Sequence, residues 1–238
     1  MEANLEYIQR CMELITPYIN GQKRSCSYCD HLTPLILLEG EHCYITLAIG
    51  QIVEGYLQVC AQKHRNSSTG FLSIERDEFI LMKQAVRLTY KEVYGNYGIA
   101  FEHGQAGTCM FNEGSDSSLC HHAHTHFVPV NINIRSEIKS ILTEEIIINN
   151  LDELINFRNT VLFGAPYLYF EDSNGIGYAY PVRDNFIPRQ FLRTCVAEKL
   201  NMKQRGDWMT FPGEDYFEIS KNKLQLLLHE NFNELRSK

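Results

Sequence analysis

The sequence predicts an α+β fold: an antiparallel sheet with one long helix, followed by a C-terminal lobe of hairpin and helices. Three observations lead there. Residues 42–50, "HCYITLAIG", and 54–62, "EGYLQVCAQ", are two strand-like runs joined by a short turn near Gly50 and Gln51. Residues 74–94 carry Phe79, Met82, Val86 and Val93 at helical spacing, and Gly95 follows as a C-cap. Residues 166–182, "PYLYFEDSNGIGYAYPV", alternate aromatic residues on both sides of an Asn174-Gly175 turn, the signature of a hairpin.

The other elements fall around these. Leu5, Ile8, Met12 and Ile15 mark an amphipathic helix over 3–16, and "NGQKRSCSYCD" then breaks its period. "KHRNSSTGF" is a loop, and "YGIAFEHG" and "CHHAHTHFVPV" are strands. Between those two strands lies "QAGTCMFNEGSDSSL", a polar Gly- and Ser-rich loop suited to folding over a ligand. Residues 136–158 read as one or two short helices. "IPRQFLRTCVAEKLN" reads as a helix with Pro188 in its first turn, and a last helix covers about 221–235. No repeat or low-complexity linker separates these parts. The expected division is a helix over 1–21, a core over 22–133 and an extension over 134–238 packed on that core.

A hydrophobic content of 44% and a charged content of 21% suit a globular chain. A net charge of -7 excludes a general DNA-coating role, which needs surplus Lys and Arg, but leaves room for a basic pocket holding one nucleotide. No signal peptide or bilayer-length apolar run is visible, and eight cysteines in 238 residues do not form a small secreted disulfide framework. A reducing, cytoplasmic setting without membrane contact is expected, with cysteines such as Cys60 and Cys195 acting as small buried hydrophobes.

Residues 120–130 concentrate the chemistry. A strand points alternate side chains to one face, so His122, His124 and His126 share a face about 7 Å apart, while His121, Ala123 and Thr125 point away. Three rings in that phase are poorly placed to grip one tetrahedral ion. They suit a division of labour in which one imidazole is structural, one nucleophilic and one assisting. Cys26 and Cys29 have the C-x2-C spacing that presents two thiolates to a metal, although two packed cysteines or a redox pair fit the same spacing. Spacing nominates His64 and His122 to complete a tetrahedral zinc site, ahead of His31 and His42.

His122-Ala-His124-Thr-His126-Phe-Val-Pro resembles the His-x-His-x-His motif of the histidine triad (HIT) superfamily of nucleotide hydrolases and transferases. The preceding C-x2-C, strand pair, "QKHRNSS" segment, long helix and "FEHG" strand come in that family's order, over about residues 22–132. The hairpin, "FIPRQFLRTCVAEKLN" and "GDW" resemble the C-terminal half of CwfJ-like members. The resemblance implies that His124 is the nucleophile and that His126 contacts the phosphate and leaving group. It also implies structural zinc on Cys26, Cys29, His64 and His122. Ser118, Glu102 and Lys63 are the further candidates for nucleotide or phosphate contact. Ser118 stands in for a Ser or Thr that the family usually places where this chain has Leu119.

The implied reaction is attack at the α-phosphorus of a nucleotide or dinucleotide, through a nucleotidyl-histidine, without an organic cofactor. A last histidine at 126 rather than glutamine favours hydrolase-like members. Nucleotidyl transfer of the uridylyltransferase type is one alternative, and a non-catalytic nucleotide- or RNA-binding factor is the other. Classical members dimerise, so a homodimer is among the expected states. Two readings stay open at His103, which either lines the pocket or caps a loop. Arg189 and Arg193, one helical turn apart, read as surface charges, with phosphate binding as the alternative. Trp208 and the hairpin tyrosines 167, 169, 178 and 180 read as packing.

Overall fold

The structure is a computed structural model, described for residues 2–23, 25–104, 122–183 and 187–238. Eight strands form one sheet in the order β1-β2-β3-β5-β4-β7-β8-β6, and every neighbouring pair is antiparallel. The strands are β1 (Ile36–Glu39), β2 (Cys43–Leu47), β3 (Leu57–Ala61), β4 (Ile99–Gly104), β5 (His124–Val128), β6 (Ile146–Ile148), β7 (Tyr167–Glu171) and β8 (Gly177–Pro181). The helices are α1 (Glu2–Ile19), α2 (Ser73–Tyr94), α3 (Arg135–Lys139), α4 (Leu151–Thr160), α5 (Phe191–Lys199) and α6 (Phe217–Arg236). This is the α+β class that the sequence predicts. The hairpin of the C-terminal part continues the core's own sheet, because β7 pairs with β4 from Ala100↔Glu171 to Gly104↔Tyr167.

Alternation along the strands sorts the two faces. Ala100, Phe127, Val59 and Ile45 join a core with Ile15 of α1, Met82 and Val86 of α2, and Leu224 and Leu228 of α6. Phe101, Leu168 and Phe170 join a second core with Leu192 and Val196 of α5 and Ile138 of α3. Burying this much apolar surface at about 25 cal/mol per Å2 is the main force holding the layers together.

Two carboxylates of α2 fix the sheet's edge and the helix start. Glu78 accepts from the backbone N–H groups of Glu41, His42 and Cys43 in the β1–β2 turn. Glu75 accepts from Leu72 N–H at 2.7 Å and takes a paired contact from Arg65.

Several elements differ from expectation, and α1 and α6 run a few residues longer than expected. β1 and β6 are additional strands, and β6 lies inside the stretch that reads as helical. Helix α5 begins at Phe191, three residues after Pro188, because Gln190 takes a left-handed conformation (φ 57°). Its side chain is held there, donating to Asp207 Oδ1 at 2.9 Å and accepting from Trp208 N–H at 3.2 Å. The triad strand begins at His124, with His122 just before it.

Candidate active site

Cys26 and Cys29 lie in the turn after α1, His64 follows β3, and His122 precedes β5. Their ligand atoms all lie within 4.8 Å of one another. Cys29 Sγ is 3.3 Å from His64 Nδ1 and 3.4 Å from His122 Nδ1, and Cys26 Sγ is 3.6 Å from His122 Nδ1. A tetrahedral ion with Zn–S bonds of ~2.3 Å and Zn–N bonds of ~2.0–2.1 Å sets S···N separations of roughly 3.6 Å. The four residues therefore fit zinc. His122 is preset for it: its Nε2–H donates to Ala61 O at 2.8 Å, which leaves Nδ1 as the bare ligand atom. Without a cation, burial beside Cys29 pushes the Cys26 thiol up to about 12; a divalent ion reverses that preference. His31 and His42 lie outside the cluster.

The next residue pair along the strand is differently held. His124 Nδ1 is 2.7 Å from the carbonyl of His122, which can only accept, so Nδ1 carries the proton and Nε2 is bare. Burial, aided by the nearby positive charge of Arg193, lowers the His124 pKa to about 4. The ring is thus neutral near pH 7, the state a nucleophile needs.

His126 has the opposite arrangement. Its Nδ1 lies 2.8 Å from Tyr56 Oη and 3.3 Å from Gln58 Nε2. Burial raises the Tyr56 pKa to about 12, so the phenol keeps its proton and donates it to Nδ1. His126 is itself held well below the usual histidine range by burial. It is therefore neutral, with its hydrogen on Nε2. Register explains the partners, since Gln58 sits opposite His126 across β3–β5. Phe101 stacks on the other side of the ring at 4.7 Å.

Tyr28, inside the C-x2-C turn, joins the two clusters. Its ring stacks on His124 at 4.5 Å and on His122 at 5.3 Å, and its hydroxyl accepts from Gln58 Nε2 at 3.0 Å. The three triad histidines open on a cleft of about 1000 Å3, solvent-open space included. Its far wall comes from the C-terminal part: Gln190, Phe191, Leu192, Arg193 and Trp208.

The remaining candidates divide by strand phase. His103 shares the face of Phe101 and lines the cleft. Glu102 points the other way and is buried, accepting from Ser68 N–H at 2.8 Å, from the Ser68 hydroxyl and from Tyr167 Oη at 3.3 Å. That carboxylate ties the loop after β3 to the sheet and does not line the cleft. Lys63 is exposed and also lies outside the lining. Ser118 lies outside the described residues. Arg189 is surface-placed, whereas Arg193 is buried at 6% exposure, contrary to the surface reading of the pair. Trp208 is half-buried on the cleft wall, not in the core. The four hairpin tyrosines are buried packing residues.

No family model matches the chain, and no curated protein does. Among solved structures, one similar chain is a Hit-like protein involved in cell-cycle regulation from Bartonella henselae. It has 18% identity and a TM-score of 0.31, over 40% of this chain and 65% of that one, under two thirds of its length. Another is a hypothetical histidine triad nucleotide-binding protein from Sulfolobus tokodaii strain7. It has 14% identity and a TM-score of 0.40, over 89% of this chain and 94% of that one. The fold likenesses are to histidine triad proteins. No helix among the described residues is long and apolar enough to cross a membrane.

Proposed function

We propose that this chain is a nucleotide hydrolase of the histidine triad type. The observation that carries the proposal is the pair of opposed tautomers on one strand: His124 with a bare Nε2 and His126 with Nε2–H. Phosphoryl transfer depends mainly on positioning and on stabilising charge. His124 Nε2 attacks the α-phosphorus, a P–N bond forms, and the bond from phosphorus to the leaving oxygen breaks. His126 Nε2–H donates to the phosphoryl or leaving oxygen. Water then attacks the same phosphorus, the P–N bond breaks with its electron pair returning to His124 Nε2, the water's proton passes to solvent, and a nucleoside monophosphate is released.

Zinc on Cys26, Cys29, His64 and His122 would serve structure here. It would fix His122, whose carbonyl in turn sets the His124 tautomer. Elemental analysis should find about one zinc per chain, lost in the Cys26→Ser/Cys29→Ser double variant. Full stability of metal-free protein would remove zinc from the account.

The deciding experiment measures product release from diadenosine polyphosphates, nucleotide sugars, aminoacyl adenylates, nucleoside phosphoramidates and capped dinucleotides. Wild type should release a nucleoside monophosphate from at least one of them. His124→Asn should lower that rate by about a thousandfold or more while leaving AMP affinity within about tenfold. Silence across the panel from folded, zinc-loaded protein would overturn the hydrolase reading in favour of a nucleotide-binding factor.

A further inference from the structure

The cleft wall contributed by α5 holds a buried charge that none of the described carboxylates pairs. Arg193 is 6% exposed and lines the same cleft as His124 and His126. Its Nη2 donates to Gly50 O at 2.6 Å and to Arg205 O at 3.4 Å, and its Nε donates to Gly206 O at 3.3 Å. All three acceptors are neutral carbonyls, and the Tyr56 hydroxyl is a further neutral partner. Among the described residues no carboxylate oxygen lies within 4.0 Å of the guanidinium. A buried cation without a counter-charge is costly, and proteins ordinarily pair it. Here the carbonyls fix the side chain's position without neutralising it.

The surroundings keep that position for a ligand. The guanidinium lies 5.1 Å above the Tyr56 ring, whose hydroxyl holds His126. Gly50 has φ 78°, and a Cβ there would run into Trp208 and lie 2.6 Å from Arg193 Nη2. The backbone at residue 50 is thus shaped around the guanidinium and the tryptophan. The first turn of α5 lines the same wall, and the N-terminal end of a helix favours an anion.

The geometry points to Arg193 as a phosphate-binding residue of this cleft, supplied in cis by the C-terminal part. Its ligand is an anionic phosphoryl group of the bound nucleotide, held beside the two triad histidines. A planar fork fixed by carbonyls suits phosphoryl oxygens better than a mobile ammonium would. This assignment rests on the nucleotide reading of the cleft, although it concerns binding and not turnover.

The test is calorimetric titration of the zinc-loaded full chain with AMP, adenosine and inorganic pyrophosphate, in wild type, Arg193→Met and Arg193→Lys. Wild type should bind AMP more tightly than adenosine. Arg193→Met should weaken AMP by about tenfold to a hundredfold and leave adenosine within about threefold, with Arg193→Lys between. Pyrophosphate should compete with AMP in wild type.

Equal loss of AMP and adenosine would mean that Arg193 only shapes the wall, and would overturn the assignment. So would an unchanged AMP-to-adenosine ratio, or wild type binding neither AMP nor pyrophosphate. If Arg193→Met does not fold, the ratio in Arg193→Lys decides by the same criterion. AMP binding that depends on Arg193, with no turnover of any substrate, would refute the hydrolase reading alone. Turnover with an unaltered ratio would refute this assignment alone.

Discussion

Arg87 on α2 and Arg193 on α5 are both largely buried, yet they keep opposite company. Arg87 Nη2 meets Glu171 Oε1 at 2.5 Å, and Lys83 contacts the other oxygen of the same carboxylate, which also accepts from Tyr169 Oη at 2.6 Å. Two positive charges from the helix share the one carboxylate of β7 where the hairpin joins the core, so each cation there touches a counter-charge. At Arg193 the described partners are all neutral, backbone carbonyls and Tyr56. A cluster that is complete within the chain serves cohesion. A buried cation that touches no described carboxylate is the one proposed above to await a ligand. Burial alone would not distinguish them; the partner's charge does.

The contrast can be broken most severely at Glu171. Glu171→Gln strands Lys83 and Arg87 against the sheet and should cost about 3 kcal/mol in urea denaturation, the low end for an orphaned buried charge because Lys83 keeps some water. A loss below about 1 kcal/mol would show that the pairing contributes little.

A second complete cluster sharpens the comparison through pH. Arg135 and Tyr180 hold the Glu145 carboxyl down to about 2, below the ordinary 4.5. A depressed acid contributes stability above its unfolded value and loses it as pH falls through the folded one. About 2 kcal/mol should therefore disappear between pH 4.5 and 2, after allowance for solvent at the cluster's edge. In Glu145→Gln this part of the acid slope should be absent, as denaturation series at pH 3 and pH 5.5 will register.

The smallest stability effect is expected in the cleft. Without ligand, Arg193→Met should cost about 1 kcal/mol, since lost bonds to carbonyls are offset by release of a desolvated charge. A loss as large as that at Glu171 would erase the distinction between the two arginines.

The metal-type cluster was legible because its signal is local: C-x2-C plus one histidine on each side of known strands names four residues without needing register. The triad's phase was legible for the same reason. The His126 tautomer was not, because it depends on Tyr56 and Gln58, and no periodicity tells which residue stands opposite His126. Glu102 and His103 were exchanged in importance by one step of strand alternation, a step that only the observed pairing of Phe101 with His126 decides. "ILLE" at β1 and "III" at β6 are too short for their period to separate strand from helix. Arg193 was hidden by its own spacing from Arg189, which mimics a solvated helix face. The left-handed Gln190 and the approach of Gly50 turn that face inward.

The strand order also sets a timetable for synthesis. β4 stands between β5 and β7, so a nascent chain ending near residue 133 has its triad strand but an open seam along β4. The guanidinium and tryptophan that wall the cleft come only with residues 193 and 208. A ribosome thus releases the triad strand before the far wall of its cleft. The cleft is therefore closed only by the last third of the chain.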